Sequence, residues 1–228
     1  MAELIVALDQ ASGSKALRLV SSLHGLVNWF KVGLELFTAQ GPEVIRQLKS
    51  QGANVFLDLK FYDIPNTVAA AVRSACHLEA DILSLHCQGG RRMCEAALNA
   101  AQEASAKPPL LFGITALTSF ADGEMPGIDI PTVQYAQQLG AMANAWGLPG
   151  IVCSGFEVSK IKSLFPELLC LCPGIRPKAF ASGDQRRVVS PANAVREGAD
   201  FLVVGRPICQ APDPAKAAAE ILAEMNCI

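Results

Sequence analysis

Short apolar, β-prone runs recur along this chain, and each is followed by a longer stretch of helical spacing. The first, Leu4 to Asp9, closes on a carboxylate, with a helical pattern behind it from about Gly13 to Leu23. Trp29 to Gly33 precedes a helix over Pro42 to Ser50, and Val55 to Lys60 precedes an alanine-rich helical pattern over Val68 to Ala75. Asp81 to His86, Leu110 to Leu117, Gly150 to Ser154, Leu168 to Pro173 and Phe201 to Gly205 read as further strands. Arg91 to Ala104, Thr132 to Trp146, Glu157 to Leu164, Pro191 to Glu197 and Pro214 to Met225 supply the helices between and after them. Strand–helix units in unbroken alternation, eight in all, predict an α/β fold: one parallel (β/α)8 (TIM) barrel domain over residues 1–228. A doubly wound open sheet is the runner-up.

In such a barrel, chemistry gathers where the strands end. The predicted ends carry Asp9, Lys31, Asp58, Lys60, His86, Thr118, Ser154, Arg176 and Arg206, polar residues directly after buried runs. The densest cluster is Asp58 to Thr67, DLKFYDIPNT. Asp58 and Lys60 are two apart, so a strand points both to one side, while Leu57 and Leu59 face the other and Asp63 lies past the strand end. Charges on the inner side of a buried strand are costly unless paired. At an effective dielectric near 20, two unit charges roughly 4 Å apart interact by about 4 kcal/mol. The plainer reading is a salt-bridged strand end that only stabilises the fold.

Composition narrows the classes. Hydrophobic residues make up 51% of the chain and charged residues 18%, which suits a buried sheet wrapped by helices and excludes a disordered chain. A net charge of −2 leaves no global basic field, so nucleic acid is not expected as a partner and any anion must be held by a local cluster. No apolar stretch reaches 18 residues, so no membrane span is expected, and the N-terminus reads as a strand rather than a signal peptide. The eight cysteines are scattered through apolar runs and read as buried thiols in a reducing, cytoplasmic setting. Cys170 and Cys172 form a C-x-C pair without a second pair nearby, so no metal site is expected.

Cations concentrate late in the chain. Strand eight ends in Gly205, Arg206 and Pro207, where a glycine permits close backbone approach and a short helix start attracts an anion. The loop from Gly174 to Val188 carries Arg176, Lys178, Gln185, Arg186 and Arg187. Barrels often bind phosphate with the loops after strands seven and eight, which predicts a phosphate site here; a merely solvated basic loop is the alternative.

With these residues in place, the chain resembles the orotidine 5′-phosphate decarboxylase family over essentially its whole length. Val6 to Asp9, Phe30 to Gly33, Asp58 to Thr67, His86 to Gly90, Leu117 to Ser119, Pro173 to Arg176 and Val203 to Ile208 match its motifs in order. D-x-K-x-x-D alone would indicate only the wider group of barrel phosphosugar enzymes; Ile64, Pro65, Asn66 and Thr67, with Arg176 and Gln185, narrow it. The resemblance implies decarboxylation of orotidine 5′-monophosphate to UMP without metal or cofactor. It implies that Lys60 protonates C6 of the pyrimidine, that Asp58 sits near the substrate carboxylate, and that Lys31, Asp58, Lys60 and Asp63 alternate in a charged array. Asp9 and Lys31 match the residues that hold the ribose hydroxyls, Thr118 the pyrimidine contact, and Arg176, Gln185, Gly205 and Arg206 the phosphate grip. It also implies a homodimer in which Asp63, Ile64 and Thr67 reach the neighbouring subunit's site. None of these positions departs from the family pattern.

Other residues take structural readings. His86 is expected to be a hydrogen-bonded strand-end histidine, Trp29 and Trp146 packing residues, and Ser154 no nucleophile, since G-x-S-x-G is absent. The alternative function is a magnesium-dependent sugar-phosphate decarboxylase or aldolase of the same barrel group, with Glu35 as the extra carboxylate for metal. A non-catalytic nucleotide-binding barrel would predict loss of Lys60 or a partner aspartate, and all are present.

Overall fold

The structure, a computed structural model, describes residues 2–177 and 187–227. Eight parallel strands follow one another around a closed barrel: β1 (Glu3–Ala7), β2 (Trp29–Gly33), β3 (Asn54–Phe61), β4 (Ile82–His86), β5 (Leu110–Ile114), β6 (Gly150–Val152), β7 (Leu169–Cys172) and β8 (Phe201–Val204). β8 pairs back onto β1, so the expected barrel is present and the open sheet is not. The helices are α1 (Gly13–Ser22), α2 (Leu34–Gln40), α3 (Glu43–Ser50), α4 (Pro65–Cys76), α5 (Gly90–Ala104), α6 (Thr132–Ala145), α7 (Val158–Leu164), α8 (Pro191–Arg196), α9 (Arg206–Cys209) and α10 (Pro214–Asn226).

The two-residue period of each strand sorts the side chains into two cores. Leu4, Val6, Phe30, Val32, Val55, Leu57, Leu83, Leu85, Leu202 and Val204 point outward into the layer shared with the helices. Ile5, Ala7, Phe56, Ile82, Phe112, Leu171, Phe201 and Val203 point inward and fill the barrel. Phe201 meets both Trp29 and Phe112 edge to face, at 5.5 and 5.8 Å between ring centroids, and this aromatic plug leaves room only toward the C-terminal end. Trp29 and Trp146 are packing residues, as expected. Cys170 and Cys172 lie on the outward face with the helix-side core, away from the barrel interior.

Local chemistry sets the helix starts. Ser12, Ser190 and Asp213 each accept a hydrogen bond from the backbone N–H three residues on, and proline opens α4, α8 and α10. Several boundaries differ from the sequence reading: β1 ends at Ala7 rather than Asp9, α4 begins at Pro65 rather than Val68, and three further differences have a local reason. α2 was not expected; it buries only Leu36, so it has too little apolar periodicity to be seen. β5 stops at Ile114; the Thr115 N–H and hydroxyl both donate to the Val152 carbonyl, at 3.2 and 3.0 Å, and the following residues form the rim. β6 stops at Val152; the Ser154 N–H is taken by the Glu157 carboxylate at 2.6 Å instead of a ladder partner.

Gly150 is required by the interior packing. A methyl group there would stand 2.5 Å from the Phe112 ring, whose position is held by Phe201. Gly150→Ala should therefore cost about 1–3 kcal/mol by overpacking. Equilibrium urea denaturation measures it, and an unchanged midpoint would show that the ring can yield.

Candidate active site

The C-terminal mouth opens into a cavity of about 570 Å³. Its floor is apolar, made by Phe56, Ile114, Val152, Leu171 and Val203, and its rim is polar, carrying Asp9, Lys31, Asp58, Lys60, Thr118, Arg176, Gly205 and Arg206. The barrel thus brings together residues from β1, β2, β3 and the segments after β5, β7 and β8.

At the centre is Asp58, whose side chain is only 10% exposed. Lys60 Nζ donates to its Oδ2 at 2.6 Å, Lys31 Nζ lies 3.7 Å from the same oxygen, and the Ser84 hydroxyl donates to Oδ1 at 2.8 Å. Lys31 also donates to Asp9 Oδ1 at 2.8 Å. Within one chain the charges therefore alternate as Asp9, Lys31, Asp58, Lys60. Gly33 gives Lys31 its place, since a methyl group there would meet the ammonium at 2.8 Å. Burial works to raise the Asp58 pKa, but the fields of Lys31 and Lys60 and the hydrogen bonds from Lys60 and Ser84 together hold it below the ordinary carboxylate value.

β3 is not the regular strand the sequence suggested. Its pairing with β4 shifts register between Leu57 and Phe61, and Lys60 sits at φ 53°, in the left-handed region that a non-glycine residue occupies at a cost of about 1–3 kcal/mol. Asp58 and Lys60 do share the inner side, but an irregularity, not simple alternation, curls the ammonium back over the carboxylate.

Asp63 stays away from this cluster. Its carboxylate accepts from the Ile64 N–H at 2.6 Å and is exposed, as are Thr67 and Ile64, the latter to 66%. None of the three lines the cavity of its own chain. Arg176 is buried beside it, with Nη1 donating to the Ile175 carbonyl at 2.8 Å. Ile175 and Val189 bridge the two ends of the loop after β7, whereas Gln185, Lys178 and Arg186 lie outside the described residues. Arg187 differs from its reading as part of a basic loop: its guanidinium pairs with the fully buried Glu157.

His86 also differs. Its Nδ1 is buried and finds no hydrogen-bond partner among the described residues, and its ring lies 5.5 Å from that of Tyr62. Burial, and then the nearby Lys60 ammonium, lower its pKa against the smaller opposing pull of Asp58, so the neutral imidazole is favoured. Glu35, the candidate metal ligand, is exposed on the first turn of α2 and does not line the cavity. Among the described residues no group of three or more His, Cys, Asp or Glu is arranged to hold a metal ion, and no helix is long and apolar enough to cross a membrane. Of the cysteines, Cys209 is half-buried and Cys227 exposed, against the expectation that all are buried; both lie at the ends of short or terminal helices.

Sequence reasoning missed Ser84, Ser119 and Gln210. Ser84 had a readable signal, a lone hydroxyl within the apolar run Ile82 to Leu85 at an inward position. Gln210 follows the Gly205–Cys209 turn and lines the cavity beside Arg206, with nothing in the spacing to mark it.

A closed (β/α)8 barrel with lysines and carboxylates interleaved at its C-terminal mouth, beside a Gly-Arg turn, has the layout of a barrel enzyme. The profile of the Orotidine 5'-phosphate decarboxylase / HUMPS family matches residues 2–221, and the chain belongs to that family. Orotidine 5'-phosphate decarboxylase from Nitratidesulfovibrio vulgaris is 52% identical, with 100% of this chain and 99% of that protein aligned. The protein of the same description from Lawsonia intracellularis is 50% identical over 99% of this chain and 100% of its own length. Among solved structures, orotidine 5'-phosphate decarboxylase from Lactobacillus acidophilus superposes with a TM-score of 0.87 at 33% identity, covering 100% of both chains.

The Asp58 geometry has a pH consequence. Because its folded pKa lies below the unfolded value of about 3.9, its ionisation stabilises the fold fully above that value and the contribution is lost as pH falls through the folded pKa. Asp58→Asn should lower stability at pH 7 by on the order of 1–3 kcal/mol, because the Lys60 ammonium loses its carboxylate while Lys31 keeps Asp9. Below about pH 4 its stability should fall less steeply than that of the wild type. Parallel slopes in denaturation at several pH values would contradict this.

Proposed function

We propose that this chain decarboxylates orotidine 5′-monophosphate to UMP in pyrimidine biosynthesis, without a metal or organic cofactor, as a homodimer with shared sites. Family membership and full-length relatives at about 50% identity support the reaction. The observation that carries the mechanism is the buried Asp58 carboxylate held between the Lys31 and Lys60 ammoniums at the edge of an apolar-floored cavity.

Breaking the bond from C6 to the carboxylate leaves an electron pair at C6 that the pyrimidine ring cannot easily delocalise, so the protein must stabilise it electrostatically. Lys60 Nζ gives its proton to C6 as carbon dioxide departs, and solvent returns a proton to the amine. Asp58 keeps Lys60 charged and aimed until then, and its own charge beside the substrate carboxylate raises the ground state. Asp9 and Lys31 hold the ribose hydroxyls, Thr118 the pyrimidine, and Arg176, Gln185, Gly205 and Arg206 the phosphate. Binding the phosphate far from C6 lets its binding energy organise the site.

Asp63, Ile64 and Thr67 serve the neighbouring subunit's site. Their exposure, together with Tyr62 at 59% exposed, fits a contact with a second copy, and so does the absence of Asp63 from its own chain's cavity lining. There Asp63 would complete the array on the far side of Lys60. The free thiols suit the reducing cytoplasm, where we place the enzyme.

Loss of the orotate nucleotide's ultraviolet absorbance in excess chelator tests the chemistry. Turnover should be undiminished by chelator and fall about 10²–10⁴-fold in Lys60→Ala. A requirement for added magnesium would instead favour the sugar-phosphate lyase. Shared sites have their own test: mixing inactive Lys60→Ala with inactive Asp63→Ala and allowing subunits to exchange should restore about a quarter of wild-type activity, because half of the random dimers carry one intact site. No recovery despite exchange would confine each site to one chain.

A further inference from the structure

The pairing of β3 with β4 leaves a gap that a side chain fills. Phe56 and Leu57 lie opposite Ile82 and Leu83, but the next pair is Phe61 with Leu85, so four steps along β3 match two along β4. Within the surplus, Lys60 adopts its left-handed backbone, and its N–H goes to the Ser84 hydroxyl at 3.0 Å rather than to a carbonyl. The same hydroxyl donates to Asp58 Oδ1 at 2.8 Å. Ser84 is fully buried, and an ionised carboxylate can only accept, so the hydroxyl proton has one direction to point.

We propose that Ser84 is a positioning residue for the reaction: its hydroxyl ties the Asp58 carboxylate to the strained backbone of Lys60, so that acid and counter-charge are aimed as one unit. The proposal rests on the function given above for its catalytic consequence, but the clamp itself is a property of the folded chain. Asp58 has its other oxygen engaged by Lys60 and Lys31, so Oδ1 is left to Ser84, whose hydroxyl holds it. The Lys60 side chain is about one-third exposed and its Nζ has Asp58 as its anchor, which makes its aim depend on that carboxylate's orientation. A hydroxyl is the smallest group able to accept from one partner and donate to the other. Alanine removes both bonds, while threonine keeps the donor and acceptor at the cost of one methyl group.

Two readouts separate positioning from a merely structural role. In Ser84→Ala the Asp58 carboxyl, followed by its ¹³C chemical shift against pH, should titrate higher than in wild type, because a donor to the ionised form is gone. Its kcat should fall on the order of 10²-fold, since misaiming by about an ångström costs that much. KM should stay within about twofold, because substrate holding lies elsewhere, and Ser84→Thr should recover most of the loss. Should Ser84→Ala fail to fold, the near-isosteric Ser84→Cys, a poor donor, gives the same comparison. An unchanged Asp58 titration, or a defect confined to KM, would overturn the clamp. If wild type itself failed to turn over orotidine 5′-monophosphate, the functional reading would fall, and the Asp58 titration would still decide the clamp.

Discussion

Asp58 carries a negative charge into a barrel whose interior is apolar immediately below it, where Phe56 and Ile82 belong to the plugged core. Burial alone would drive that carboxyl toward its neutral form, and the Lys31 and Lys60 ammoniums, the latter also a hydrogen-bond donor, together with the Ser84 hydroxyl reverse the tendency. The arrangement is mutual. Lys31 and Lys60 are tolerable so close together because the carboxylate lies between them, and removing any one member leaves a charge uncompensated. The elements bearing these residues must be held to within an ångström for the balance to exist, and the closed sheet does that.

The barrel meets this demand through two separate cores. The outward faces of the strands pack on the helices, while the inward faces stack aromatic and branched side chains into a plug whose upper side is the floor of the mouth. Strain can therefore be stored at the Lys60 backbone without loosening the fold, because the strands on either side remain in register. Beyond β6 and β7 the buried Glu157 does comparable work, taking the Ser154 N–H and pairing with Arg187, so the turn after one strand is tied to the end of the loop after the next.

Other features of the mouth fit the homodimer proposed above. Tyr62 and Ile64 expose apolar surface directly beside a charged cluster in which, among the described residues, Lys60 has Asp58 but no second carboxylate. In the proposed dimer both are explained by the same contact. His86 is half-buried with its Nδ1 enclosed, held toward the neutral form by burial and the nearby Lys60, and packed against Tyr62.

Much of this was legible in the sequence, for definite physical reasons. Buried parallel strands must be apolar, so Leu4 to Asp9 or Phe201 to Gly205 announce themselves, and the charged residues closing such runs mark the mouth because nothing else would place them there. Asp9, Lys31, Asp58 and Lys60 were found this way, and the order of motifs gave the family. What the sequence could not fix was anything set by contact between distant segments. The register shift in β3, the left-handed Lys60, the Ser84 bridge and the burial of Arg187 against Glu157 each depend on which strand lies alongside. Local pattern encodes which face a residue prefers, because that preference is decided by burial. Which oxygen it meets is decided by packing, and only the closed barrel supplies that.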